Sequence, residues 1–146
     1  MAPTVIKGHL NYREPWVLPT VKLFTGNPVL RSDGALVMGA GAAKAVRDRW
    51  PGVQYGLRII PGRRLAWYEI QPSQWIGWFQ VKEHWREPAK VSLIKHAAQQ
   101  LATVAVSHKG QVFELNAPGV GNGGLKWDVV EPLLAGLPSN VHVYLV

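Results

Sequence analysis

Asn116-Ala-Pro-Gly-Val-Gly-Asn-Gly-Gly-Leu-Lys-Trp127 carries four glycines in twelve residues and stands between two unlike neighbours. Before it, Gln111-Val-Phe-Glu-Leu115 alternates and is rich in β-branched and aromatic residues, the pattern of a strand. After it, Trp127, Val130, Leu133 and Leu134 recur at helical spacing, and Asp128 and Glu131 fall in the first turns, where a helix favours negative charge. Strand, glycine-rich loop and helix in that order present backbone N–H groups and a positive helix end to an anion, most often a phosphate. A loop that merely turns the chain between two elements has the same composition, so this stretch alone leaves both readings open.

Outward from this loop the chain alternates strands and helices. Thr4 to Leu10 is a short strand candidate, followed by a polar insert with proline at its flank, Asn11-Tyr-Arg-Glu-Pro15. Trp16 to Thr25 contains the next strand, centred on Val21-Lys-Leu-Phe24, and Gly26-Asn27-Pro28 leads into a loop rich in turn residues. Met38-Gly-Ala-Gly41 opens a helix from Ala42 to Trp50, which Pro51-Gly52 stops. Tyr55 to Ile60 and Leu65 to Ile70 read as two strands joined by Pro61-Gly-Arg-Arg64, and Trp75 to Lys82 as a further strand. Pro88 begins a helix running to about Thr103, with Val91, Ile94, Ala98 and Leu101 on one face. Val141 to Val146 is the closing strand. This order predicts a single three-layer α/β/α domain over residues 1–146 with a central mixed sheet, whose ligands bind at the carboxyl ends of the strands.

The chain has 146 residues, 47% of them hydrophobic, enough for one core. The N-terminus lacks the apolar run of a signal peptide and no stretch reaches membrane-spanning length, so a cytoplasmic protein without a membrane partner is the expectation. There is no cysteine, hence no thiolate chemistry. The formal net charge of +7 and pI near 10.0 favour polyanionic partners, although the basic residues are scattered and also serve solubility. Five histidines, at 9, 84, 96, 108 and 142, show neither ligand spacing nor an acidic cluster, so neither a metal nor another cofactor is expected. Gly39-Ala-Gly41 repeats the physics of the later loop, and two such loops suit a diphosphate held between them. Neither loop has the Walker lysine or the spaced three-glycine fingerprint, which argues against triphosphate hydrolysis and nicotinamide chemistry.

Three segments carry a family resemblance. Met38-Gly-Ala-Gly-Ala-Ala-Lys-Ala-Val-Arg-Asp-Arg-Trp-Pro51 resembles the first ligand loop and helix of macrodomains. Lys82-Glu-His-Trp-Arg-Glu-Pro88 resembles the lysine-bearing segment of the DarG antitoxin macrodomain, and Gly119-Val-Gly-Asn-Gly-Gly-Leu-Lys-Trp127 its second ligand loop. They stand in the family's order and the resemblance covers roughly Gly26 to Val146. It implies an ADP-ribose-binding fold and, in the DarG branch, a glycohydrolase that removes ADP-ribose from thymidine in single-stranded DNA, reversing a DarT-like toxin. Whether this chain has a toxin partner is left open.

By the same resemblance Lys82 is the catalytic residue. An amine beside the anomeric carbon acts as a nucleophile once desolvated, or orients the leaving group. Asn27 stands near the distal ribose, and Met38, Gly39, Ala40 and Gly41 wrap that ribose and a phosphate. Gly119, Val120, Gly121, Asn122, Gly123 and Gly124 bring backbone N–H groups to the diphosphate, with Leu125 in the same ligand loop. His9 occupies the place where many macrodomains bind the adenine amine through aspartate. His84, Trp85, Arg86 and Lys126 are candidate DNA contacts, Trp85 by stacking on a base, though a tryptophan is more often core and exposed basic residues are usually only solvated. Asp33 is the one acid of the first loop and is expected to bind local turn amides. Related enzymes that release ADP-ribose with an aspartate of the second loop have it where this chain has Gly123, which favours the lysine route. Two other functions remain: a catalytically silent domain that binds ADP-ribose or a nucleotide signal, and a nucleic-acid-binding domain without a nucleotide pocket.

Overall fold

The computed structural model describes residues 2–12 and 19–146; the last three residues of the expected insert, Arg13-Glu-Pro15, and the Trp16–Leu18 start of the second strand segment lie outside the described residues. Six strands form one sheet: β1 (Thr4–Lys7), β2 (Thr20–Gly26), β3 (Leu65–Gln71), β4 (Gln74–Gln80), β5 (Val112–Asn116) and β6 (Val141–Leu145). Their order is β1-β6-β5-β2-β4-β3, parallel throughout except that β3 runs antiparallel to β4. The helices are α1 (Gly41–Arg49), α2 (Val53–Gly56), α3 (Val91–Ser107) and α4 (Trp127–Val130).

A parallel sheet covered on both faces needs strands that are apolar on both sides. Along β2, Val21 and Leu23 face one way and Phe24 the other. The first face joins Phe79, Phe113, Leu115, Val141 and Val143 to Ile94, Ala97, Ala98 and Leu101 of α3 and to Val130 of α4. The second packs Phe24, Ala66, Ile76 and Trp78 against Ala43 and Val46 of α1 and Val53 of α2. Each fully buried side chain of this size contributes about 1.5–3 kcal/mol. Helices on both faces make the three layers expected, and no helix among the described residues is long and apolar enough to cross a membrane.

Four local readings are corrected. Tyr55 to Ile60 is not a strand. Val53–Gly56 is one helical turn, closed by Gly56 N–H to Gly52 O (2.9 Å) and Leu57 N–H to Val53 O (3.2 Å), and no regular element follows to Ile60. The alternation of Tyr55, Leu57 and Ile59 suggested period two, but the buried apolar pair is Val53 and Leu57, spaced four apart. Consequently Pro61-Gly-Arg-Arg64 does not join two strands, and the hairpin partner of β3 is β4, through a tight turn with Ser73 at φ 66°. The long helix starts at Val91 rather than Pro88, because Ala89 N–H donates to Gly123 O (2.9 Å) and Lys90 N–H to Val81 O (2.9 Å), which holds this stretch extended; it continues to Ser107. The helix after the glycine loop lasts one turn and passes into a 3-10 turn, Glu131–Leu134, at Pro132, which has no N–H to continue an α-helix.

Candidate functional site

β5, β2 and β4 are parallel neighbours, so their carboxyl ends at Asn116, Gly26 and Gln80 lie side by side. Each strand delivers one of the three segments singled out in the sequence: the second glycine loop, the first loop with α1, and Val81-Lys82. Between them opens a cavity of 530 Å³ walled by Asn27, Gly39, Ala40, Gly41, Lys82, Trp85, Asn116, Gly119, Val120, Asn122 and Gly123, among others. A second cavity, of 360 Å³, shares Gly41, Ala42, Asn116 and Val120 with the first and extends to His9, Leu10, Tyr12, Gly121 and Tyr144. Together they make one cleft with Lys82 at one end and His9 at the other.

The loops meet over its middle. Gly41 has φ +56°, where a side chain is strained, and a Cβ there would stand 2.9 Å from Asn122 Nδ2, so the two loops approach closely. The first N–H groups of α1 have no intrahelical acceptor, and Gly41, Ala42 and Ala43 of this first turn line the larger cavity. The one-turn α4 adds little dipole, so α1 is the longer of the two helices that follow the glycine loops. In the second loop, Gly124 N–H binds Gly121 O and Leu125 N–H binds Gly119 O, both at 2.9 Å, which shapes a 3-10 turn at Gly121–Gly123.

Lys82 is part-exposed and its Nζ donates to Asn122 O at 3.3 Å, a contact across the cleft. Among the described residues it is the one ionisable side chain on the larger cavity's wall. Asn27 is buried; its Oδ1 accepts from Val29 N–H (2.9 Å) and its carbonyl from Trp78 Nε1 (3.2 Å), which fixes it at the end of β2. Nearby acids are engaged elsewhere. Asp33 accepts from Ala35 N–H (3.1 Å), and that bond, with Arg31 and Tyr55, holds its carboxyl below the usual range. Lys90 does the same for Glu83 at 2.7 Å.

The remaining sequence candidates are placed unevenly. Met38 is 2% exposed and packs in the core under α1, and Leu125 packs against the opposite core. Neither they nor Gly124 stand on the walls of either cavity. His84 stacks on Trp85 with centroids 5.1 Å apart, and Arg86 lies 4.6 Å over the same indole, at the Lys82 end. Arg86 and Lys126 are exposed and off the cavity walls. Sequence reasoning missed Thr25 and Asn116. Asn116 borders both cavities, accepts from Tyr12 Oη (3.3 Å) and donates to Thr25 Oγ1 (3.2 Å). Its place at the carboxyl end of the strand before the glycine loop was the available signal. No group of three or more His, Asp or Glu side chains among the described residues is placed to hold a metal ion.

No family model matches the chain, and no curated protein does. Solved structures do. The macrodomain of Thermus aquaticus DarG superposes with a TM-score of 0.70 at 22% identity, over 97% of this chain and 95% of that one. The macrodomain of Mycobacterium tuberculosis DarG gives 0.63 at 23% identity over 98% of each chain. Thermosipho africanus DarTG in complex with ADP-ribose gives 0.67 at 22% identity, over 88% of this chain but only 38% of that longer one.

Proposed function

From a chain with the macrodomain fold, we propose an ADP-ribosyl glycohydrolase that takes ADP-ribose from thymidine-linked DNA, with Lys82 as its catalytic residue. The observation that carries this reading is Lys82 at one end of the cleft, where it is the one ionisable side chain among the described residues on the larger cavity's wall. A cleft of two joined chambers pinched between two glycine loops suits an elongated ligand with a diphosphate at its waist. The adenine then lies toward His9 and Tyr144, and the distal ribose toward Asn27 and Lys82. The similar Thermosipho africanus protein is in complex with ADP-ribose, which supports the ligand class.

Hydrolysis breaks the bond from ribose C1 to the base nitrogen. In the nucleophilic route the Lys82 amine forms a bond to C1 as the bonding pair leaves with the base nitrogen, which takes a proton. Water then adds to C1 and frees the lysine. In the alternative route Lys82 orients the leaving base while water attacks directly. The net charge of +7 and the His84–Trp85–Arg86 stack beside the Lys82 end favour a nucleic-acid substrate, with Lys126 as a further backbone contact. A DarT-like toxin would supply such a substrate.

A silent ADP-ribose-binding domain is the second reading. It is favoured by the Lys82 Nζ bond to Asn122 O and by the lack of a carboxylate among the described residues on the larger cavity's wall. A short single strand bearing thymidine-linked ADP-ribose separates the two. The glycohydrolase releases ADP-ribose, and Lys82→Ala slows release by roughly 10²–10⁴-fold while still binding the ligand. Equal release by both proteins discards the lysine mechanism. No release, with ADP-ribose still raising the melting temperature, leaves the silent domain.

A further inference from the structure

The sheet stops orienting the chain before Lys82. The last register pair of β2 and β4 is Gly26 with Gln80, and Lys82 lies two residues beyond it. Val81 is still tied on both sides, its N–H to Gly26 O (3.0 Å) and its carbonyl to Lys90 N–H (2.9 Å). At Lys82 a side chain takes over. Gln80, 2% exposed, donates from Nε2 to Lys82 O at 2.9 Å. This bond fixes the peptide plane that follows Lys82, and with it the direction in which the lysine leaves the backbone.

Gln80 is itself held by a second residue. Arg64 Nη1 donates to Gln80 Oε1 at 2.9 Å, and Gln80 N–H donates to Arg64 O at 2.9 Å. Because Arg64 takes the oxygen, the amide can present only its nitrogen to Lys82 O, so the guanidinium sets the orientation of the glutamine. Arg64 is in turn fixed by its backbone N–H to Gln100 Oε1 (2.7 Å) and by Nε to His96 Nδ1 (3.3 Å), both on α3. A buried glutamine could serve packing alone, but an apolar side chain would fill that space without a buried amide to satisfy.

We propose that Gln80 and Arg64 are positioning residues for Lys82, setting its aim at the ligand without touching it; this rests on Lys82 being catalytic. Gln80→Glu is the direct test. The carboxylate keeps its bond to Arg64 but offers Lys82 O an acceptor in place of a donor. The expected result is a kcat about 10- to 100-fold lower on ADP-ribosylated DNA, the scale for misplacing a reacting group by about an ångström. The ADP-ribose Kd should change less than about twofold, because the glycine loops are untouched. Arg64→Lys, which keeps a donor for Gln80, should recover much of the kcat lost in Arg64→Met.

A readout independent of turnover keeps this separate from the activity itself. The reductively ¹³C-methylated Lys82, assigned by its loss in Lys82→Ala, should give one sharp resonance in wild type. That resonance should be shifted or multiplied in Gln80→Glu. An unchanged Lys82 resonance overturns the positioning role, whether or not the wild type turns over. So does a kcat equal to wild type in active protein, or a fall in kcat and affinity together with the melting temperature, which is the mark of a merely structural glutamine. A wild type without turnover but with the expected resonance change rejects the glycohydrolase and leaves the aim of Lys82 established.

Discussion

Lys22 interrupts the apolar run Val21-Lys-Leu-Phe24, yet it is only 6% exposed. It sits 3.7 Å from Glu114 on the neighbouring strand and also bonds Asn11 O. Glu114 further accepts from Tyr144 Oη at 2.8 Å. Removing one partner of a buried pair leaves an uncompensated charge, so Lys22→Met should lower unfolding stability by about 3 kcal/mol, and adding Glu114→Leu should restore most of it. Denaturant titration of the single and double variants checks this; additive losses would contradict it. The same cluster sets an alkaline limit. Burial and the Glu114 bond push Tyr144 up to about 12, and burial pushes Tyr12 higher still. Unfolded tyrosines ionise near pH 10, so above about pH 10 the unfolded state binds fewer protons and stability falls as pH rises toward 12. Tyr12→Phe with Tyr144→Phe should flatten that fall between about pH 10 and 12; an unchanged slope would exclude these tyrosines as its source.

At the scale of elements, Gly77 shows how tightly the sheet is assembled. A Cβ there would stand 2.7 Å from the Trp67 ring and 2.9 Å from Leu23 Cγ. Gly77→Ala should therefore destabilise by about 1–3 kcal/mol through overpacking and lower the melting temperature, with no change expected if Trp67 swings away freely. The strands around it were legible because a sheet buried on both faces writes runs of consecutive apolar residues, as in Trp75–Phe79. The glycine loops were legible because Gly39–Gly41 stands at the start of a helix and Gly119–Gly124 breaks the pattern soon after a strand. The 55–60 segment was not, since Tyr55, Leu57 and Ile59 alternate by sequence while a helical turn buries Val53 and Leu57. Nor did the sequence reveal Asn116 or Gln80 as site residues. A polar side chain at a strand end looks the same whether it faces solvent or fixes its neighbours, and only the tertiary contacts to Tyr12, Thr25 and Arg64 tell the two apart.

Taken whole, the molecule offers a cleft with a single cation, among the described residues, on its larger chamber, and a positive net charge. Two behaviours should follow. Binding of unmodified single-stranded DNA should weaken steeply as salt rises, because it rests on phosphate contacts. Free ADP-ribose should stabilise the fold in proportion to its affinity, about 2.7 kcal/mol at a hundredfold excess over Kd. Salt-insensitive DNA binding would remove the charge argument, and an ADP-ribose-independent melting temperature would remove the ligand. The most direct measurement is a crystal structure with ADP-ribose bound. The adenine should lie beside His9, the diphosphate between Gly41 and Val120, and C1 of the distal ribose against Lys82 Nζ. A ligand lying in the reverse direction, or outside this cleft, would contradict this arrangement.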